Sequence, residues 1–517
     1  MLRKILLAAA AMAAAAPGIA DATWYQASSK HFVVYADDST DHIKAYTERL
    51  ERFDQAIRYW HHTPESGLGP SSRVTVYVMS DLADIQKIFG NSIANVGGFY
   101  DARATGSVAF TPRSTGDDYG FSAQAVLFHE YTHHFMRTTW SDAAFPAWFT
   151  EGFAELHATA LIKSDGSVQF GAVPVYRQWT VARSNLMPAS ELLERYPAKL
   201  DDESRDALYA RGWLLMHYLT FDTERRKQLA AYIVAINSGK SAEEAGKAFG
   251  KIGELDGKMD AWGSRKNLPF NLINGSELHT GTITVRALGP AEAAIMPALM
   301  ASTRGVDEKL APRVAELARR LAAPFPNDAA AQNELAEAEY DAKNYSASEA
   351  AADRAIAADP KSIHALMYKG MAQQAGLVRD KVTDRDRWAA ARRWYLAANK
   401  ADPDNPEPMV LFYDSFLEQK EKPTDNAADG LLYAYSIAPY DPSLRLEAAS
   451  ILIVRGQEQA ARIALGPVAY YVDGGPAEPA QNALKALDAG DKAAALKALD
   501  PANQKEKEKK KGDGKKS

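Results

Sequence analysis

Two hydrophobic rhythms share the N-terminal third of the chain. From His31 to Ala36 most residues are β-branched or aromatic, whereas Ile43, Tyr46, Leu50, Phe53 and Ile57 recur at spacings of three and four. The first pattern predicts a strand and the second an amphipathic helix, because side chains three and four apart share one helical face. Arg73–Met79 predicts another strand, and Gly97–Asp101 and Ser107–Thr111, set among Gly- and Asn-bearing turns, predict two more. The helical rhythm returns over Ser122–Arg137, with Phe128, Tyr131 and Phe135 on the buried side. Pro146 opens a further helix to about Ala158, and Ser190–Trp262 reads as several helices. A strand-like run at Thr282–Ala287 is expected to be the seam between this region and the next.

Beyond Pro290 the chain is alanine-rich and helical, and it repeats. Leu335-Ala336, Tyr345, Ala355-Ile356 and Asp359-Pro360 resemble one tetratricopeptide unit, a helix pair of about 34 residues. Gly370, Ala391, Ala398 and Asp402-Pro403 supply a second unit, lengthened by the charged insertion Arg379–Arg387; Ile437-Ala438 and Asp441-Pro442 suggest an irregular third. A generic alanine-rich bundle is the alternative, which the Asp-Pro endings disfavour. Stacked helix pairs form concave faces suited to a peptide or protein partner.

The chain ends and the composition add a compartment. Arg3 and Lys4, an apolar run from Ile5 to Ala16, Pro17-Gly18 and the small residues near Ala22 form the pattern of a secretory signal peptide. The run is shorter than the roughly 20 residues that span a bilayer. A periplasmic or secreted protein without a transmembrane segment is therefore expected. The chain has no cysteine, so packed cores must stabilise it, and a net charge of −6 over 517 residues gives no basic footprint for nucleic acid. The lysine-rich end lacks apolar residues to bury and is expected to be a disordered tail, although attraction to an acidic envelope surface is a second use for it.

His129-Glu130-Tyr131-Thr132-His133 lies inside the predicted helix, so the two imidazoles stand one turn apart on one face and can reach one ion. Zinc suits two neutral nitrogens, a carboxylate and an open position for water, and Glu130 is placed to take that water's proton. His134 is rotated by roughly 140° from His129, at about 100° per residue, which points to a surface or supporting role. A second segment, Pro146 to Glu155, begins 13 positions after His133 and offers Glu151 and Glu155 on one helical face, with Gly152 allowing close approach of another helix.

Together these two segments resemble the gluzincin zinc metallopeptidases, most closely the bacterial peptidase MA-like branch with its Trp-x-x-Glu-Gly-x-Ala segment, here Trp148–Ala154. The resemblance covers roughly Trp24 to Trp262. It implies one zinc held by His129, His133 and Glu151, Glu130 as general base, and Glu155 as a hydrogen-bond partner of a ligand histidine. It also implies an oxyanion-stabilising Tyr or His, for which Tyr209 is the first candidate and His217 the second, each also readable as ordinary packing. Gly98-Phe99-Tyr100 resembles the edge strand on which gluzincins lay out substrate backbone, or is a plain sheet edge. No Gly-x-Met-Glu-Asn segment marks an amine pocket, so internal cleavage is expected.

The expected fold is α+β. A signal peptide (1–22) precedes an α/β peptidase subdomain with both motifs (23–185) and a helical subdomain with the strand seam (186–288). Tetratricopeptide-like helical repeats (289–500) and a tail (501–517) follow. The expected function is zinc-dependent hydrolysis of peptide bonds, with the repeats as a recognition surface. The alternatives are a non-catalytic repeat scaffold of the envelope with a structural zinc, and a zinc amidase acting on cell-wall peptides.

Overall fold

The β-branched runs assemble into one mixed sheet in a computed structural model of the chain, which describes residues 24–65, 67, 69–89, 99–113, 122–181, 186–194, 200–471 and 476–500. The expected signal peptide, the tail and Gly98 lie outside the described residues. In chain order the elements are β1 (Trp24–Ser28), β2 (Phe32–Asp37), α1 (Thr40–His61), β3 (Val74–Met79), α2 (Leu82–Phe89), β4 (Phe99–Asp101) and β5 (Val108–Pro112). The two motif helices follow, α3 (Ala123–Thr139) and α4 (Ala147–Ala158), then short strands β6 (Leu161–Ile162) and β7 (Val168–Phe170). Six helices come next: α5 (Gln178–Val181), α6 (Ala189–Glu194), α7 (Asp202–Phe221), α8 (Thr223–Asn237), α9 (Ala242–Gly246) and α10 (Leu255–Gly263). Strands β8 (Asn271–Ile273) and β9 (Thr284–Ala287) complete the region.

The large sheet runs β4-β5-β3-β2-β1-β9, parallel between β2, β3 and β5, with β4 antiparallel to β5 at one edge. One of its faces, including Val34, Val76 and Ala109, packs on Leu50, Phe53 and Ile57 of α1 and on Phe128, Tyr131 and Phe135 of α3. The expected apolar faces of both helices are thus the ones buried. The period of two along each strand turns Tyr77, Met79, Val108 and Phe110 to the opposite face. Strands β6, β7 and β8 form a second small sheet that the sequence pattern does not reveal, because each has only two or three residues.

Twelve helices follow among the described residues: α11 (Pro290–Arg304), α12 (Ala311–Ala322), α13 (Ala329–Asp341), α14 (Tyr345–Ala358), α15 (Ile363–Arg379), α16 (Arg385–Ala401), α17 (Glu407–Glu418), α18 (Asp425–Ile437), α19 (Pro442–Val454), α20 (Glu458–Ala469), α21 (Ala477–Asp488) and α22 (Lys492–Leu499). They form a helical repeat array in which each helix packs on the next. Ala336 on α13 and Gly370 on α15, one expected period apart, are both buried. A side chain at Gly370 would meet the Tyr395 ring of α16 at 2.6 Å. No described helix is long and apolar enough to cross a membrane.

The strand expected at Thr282–Ala287 forms as β9. Strand β9 pairs with β1, so it is the second edge of the N-terminal sheet. Helix α11 then lays Met296 and Met300 on Tyr77, Met79, Ile85, Val108 and Phe110. The physical reason is that α1 and α3 cover only one face of a sheet whose other face is also apolar. Further links tie the array to the sheet region. Asp441, which caps α19 through the Ser443 and Leu444 amides, also accepts from the Ala104 amide at 2.7 Å. Arg103 donates to the Thr303 carbonyl and Ser71 to that of Asp404.

Carboxylates collect on α13 and α17. Burial first and Glu337 second push Asp341 up to about 7. Burial and Glu337 likewise bring Glu407 to about 7 against the opposing pull of His364. An unfolded chain releases these protons near pH 4. Between about pH 4 and 7 the folded state therefore holds more protons, and these two groups make stability fall as pH rises through that window. Buried His134 and His157, pulled down to about 3 and about 4, act in the opposite sense. We therefore expect Asp341→Asn/Glu407→Gln to raise the thermal midpoint relative to wild type at pH 8 and to leave it unchanged near pH 4. Equal shifts in calorimetry at both values would discard this account.

Candidate metal centre

Ser122 starts α3 by accepting the Ala125 amide, and Pro146 starts α4, whose fixed backbone carbonyl accepts from Phe149 and Thr150. These helices face each other and bring the two motifs together. His129 Nε2 lies 3.2 Å from Glu151 Oε2 and 3.1 Å from His133 Nε2, and His133 Nε2 is 3.5 Å from the same carboxylate oxygen. One ligand atom from each of the three residues falls within 4.8 Å of the others. Two imidazole nitrogens and a carboxylate oxygen converging at one buried point are a donor set that fits zinc. Burial draws His129 down, yet Glu151 and Glu155 outweigh it and push the ring up to about 9. Burial raises Glu151, but His133 and His129 hold its carboxyl well below the usual carboxylate range.

Glu155 stands behind His129, its Oε1 3.6 Å from Nδ1. Tyr176 donates to Glu155 Oε2 at 2.7 Å and Arg177 to Oε1 at 3.0 Å, and Arg177 also pairs with Asp206. These partners escape sequence reading because they lie outside both motifs. His133 Nδ1 is buried with no hydrogen-bond partner among the described residues, so Glu155 serves His129 alone.

Glu130 and Tyr209 line a cleft of ≈ 300 Å³ together with His129, His133 and Glu151. The Tyr209 ring lies 5.7 Å from that of His129 and 4.8 Å from the Arg177 guanidinium. His217 is elsewhere: fully buried, it accepts from Trp262 Nε1 and faces the Gly171 and Pro269 carbonyls. It is a core histidine, and burial pulls it down to about 4. His134 is not on the surface either. It is 5% exposed, 2.8 Å from the Tyr100 hydroxyl, and beside the Tyr440 ring of the helical array. Tyr100, on edge strand β4, and the adjoining Asp101 and Ala102 line the cleft. A second set of donors, His31, Asp54 and Glu65, is already charge-compensated, with Arg58 Nε 2.8 Å from Asp54 and 3.6 Å from Glu65.

Gly152 sets the position of α4. A Cβ there would lie 2.3 Å from the Gly212 carbonyl oxygen of α7, and one on Gly212 would lie 2.9 Å from that of Trp148. Backbone cannot yield as a flexible side chain can. Gly152→Ala should cost about 1–3 kcal/mol or more and weaken zinc binding by displacing Glu151. Gly376→Ala, with no atom within 4 Å of the new methyl, should be neutral or stabilise by about 0.4–1 kcal/mol. Denaturant titration of both variants would reveal the contrast, and equal effects would show that the crossing of α4 and α7 has room to spare.

No family model matches the sequence, and no curated protein matches it. Among solved structures, PilF of Pseudomonas aeruginosa, from a structure reported as its functional characterisation, is similar at 17% identity with a TM-score of 0.32; the match covers 40% of this chain and 88% of that one.

Proposed function

We propose that the chain is a zinc-dependent hydrolase of peptide bonds of the gluzincin kind. The observation that carries this reading is the buried convergence of His129, His133 and Glu151 beside Glu130 in an open cleft. Zinc held by these three would supply Lewis-acid chemistry, polarising the scissile carbonyl and making the attacking water more acidic. Glu130 accepts the proton of the attacking water and passes it to the leaving amine. Tyr209 donates a hydrogen bond to the oxyanion that develops on the carbonyl. Glu155, held by Tyr176 and Arg177, fixes the His129 ring through Nδ1. Edge strand β4 offers backbone groups along which an extended peptide can lie. The protein acts outside the cytoplasm, and the helical array contributes to protein or peptide recognition.

The helical array itself favours a second reading, a non-catalytic scaffold with a structural zinc. Incubating the zinc-loaded chain with a mixed peptide library and with isolated cell-wall sacculi separates the readings. Cleavage of library peptides supports the peptidase, and release of sacculus peptides alone supports an amidase. Zinc retention without either reaction leaves the scaffold.

A further inference from the structure

The cleft carries two arginines that hydrolysis of the peptide bond does not use. Arg137 follows His133 by one turn on α3, so it continues the stripe formed by His129 and His133. Arg445, 3% exposed, enters from α19. Both line the same cavity as the candidate metal ligands. Among the described residues neither guanidinium forms an ion pair with a carboxylate.

Their hydrogen bonding differs. Arg445 is fastened by neutral carbonyls, those of Pro439 at 2.5 Å, Ala464 at 3.2 Å and Ser141. Arg137 stacks on the Tyr471 ring at 4.3 Å, and its N–H groups donate to no described acceptor. Carbonyls satisfy N–H groups without cancelling the charge. Burial lowers the pKa of Arg445 and Arg137 pushes in the same direction, whereas Tyr435, Asp142 and Tyr471 act against them. Two like charges thus share one wall, Arg445 buried and Arg137 half-buried, and an anion arriving there offsets their repulsion. A planar guanidinium with its donors unspent matches a carboxylate in bidentate geometry. Trp140, Phe145 and Tyr470 line the cavity with them and suit an apolar side chain beside that anion.

We propose that Arg137 binds a carboxylate of the substrate, supplied by a free C-terminus or by an acidic side chain near the scissile bond, with Arg445 as the fixed charge behind it. The proposal rests on the hydrolytic reading for the word substrate. The binding site itself can be tested without turnover. It also gives the helical array a direct part in the cleft, since Tyr440, Arg445 and Tyr470 all come from it.

The test uses the full-length, zinc-loaded Glu130→Gln chain and dansyl-labelled peptides of varied sequence, read by fluorescence anisotropy. Each peptide is made as the C-terminal acid and amide, and with Glu or Gln at internal positions. One member of the acid/amide or Glu/Gln pairs should bind tighter by about tenfold or more, which identifies the source of the carboxylate. Arg137→Met should erase that difference and Arg137→Lys should retain part of it. With the wild-type chain the same pairs should differ in KM rather than kcat. Zinc content and thermal unfolding check each variant, and the Lys variant carries the test if the Met variant does not fold. Binding that is equal within about twofold for all pairs, or a preference untouched at residue 137, overturns the proposal. A preference that depends on Arg137 in a chain that hydrolyses nothing would uphold the carboxylate site while removing the peptidase reading.

Discussion

Glu130→Gln should keep one zinc per chain while lowering peptide hydrolysis by about a thousandfold, within the range of general acid–base help. Glu130 adjoins His129 on α3 and lines the cleft, yet it is not one of the three residues whose donor atoms converge. Removing its basicity should therefore spare the metal. Glutamine keeps the size and a hydrogen-bonding end but cannot accept the proton at neutral pH. Elemental analysis after dialysis gives the zinc content, and initial rates on a library peptide give the activity. Activity within about tenfold of wild type would remove Glu130 from the role, because general-base help alone exceeds that. Loss of zinc would instead make Glu130 part of the metal centre.

Much of the site was legible because helical periodicity is short-ranged. The spacing of His129 and His133 fixes their common face, and Gly152 announces a close helix crossing. The partner in that crossing, Gly212 on α7, lies 60 residues away and no local pattern marks it. The same limit hid Tyr176 and Arg177 behind Glu155, and Arg445 in the cleft wall. Arg137 was within reach of the sequence, since it extends the His129–His133 stripe by one turn. For His134, rotation from the ligand face leaves a surface and a supporting role both open, and β4 and the helical array cover that side, which removes the surface one. For His217 the packing reading holds, since an apolar helix run cannot itself show whether its polar member meets a cleft or buried carbonyls, and here it meets buried carbonyls. The strand at Thr282–Ala287 was legible, but strand character does not identify the pairing partner, which is β1. Truncation near Gly289-Pro290 therefore exposes the apolar face under Met296 and Met300 and opens the wall around Arg445.

The pair Glu151 and Glu155 offers the sharpest separation of ligand from support. Glu151 Oε2 lies 3.2 Å from His129 Nε2 and 3.5 Å from His133 Nε2, so it shares the point at which both rings aim. Glu155 approaches the far nitrogen of His129 and spends both oxygens on Tyr176 and Arg177. Glu151→Ala should abolish tight zinc binding. Loss of a supporting carboxylate typically costs about 10- to 100-fold in affinity or activity, so a Glu155 variant should still load at high zinc. Alanine is a poor probe there, because it also strips a buried partner from Arg177, and breaking a buried pair costs about 3–5 kcal/mol. Glu155→Gln keeps the volume and an acceptor for the Tyr176 hydroxyl, while Arg177 retains Asp206. Zinc affinity by competition with a chelating dye, measured for Glu151→Ala, Glu151→Gln and Glu155→Gln alongside their thermal midpoints, distinguishes lost ligation from lost folding. A folded Glu151→Ala that binds zinc as tightly as wild type would exclude Glu151 as a ligand, and a Glu155→Gln that loses zinc altogether would transfer the role to Glu155.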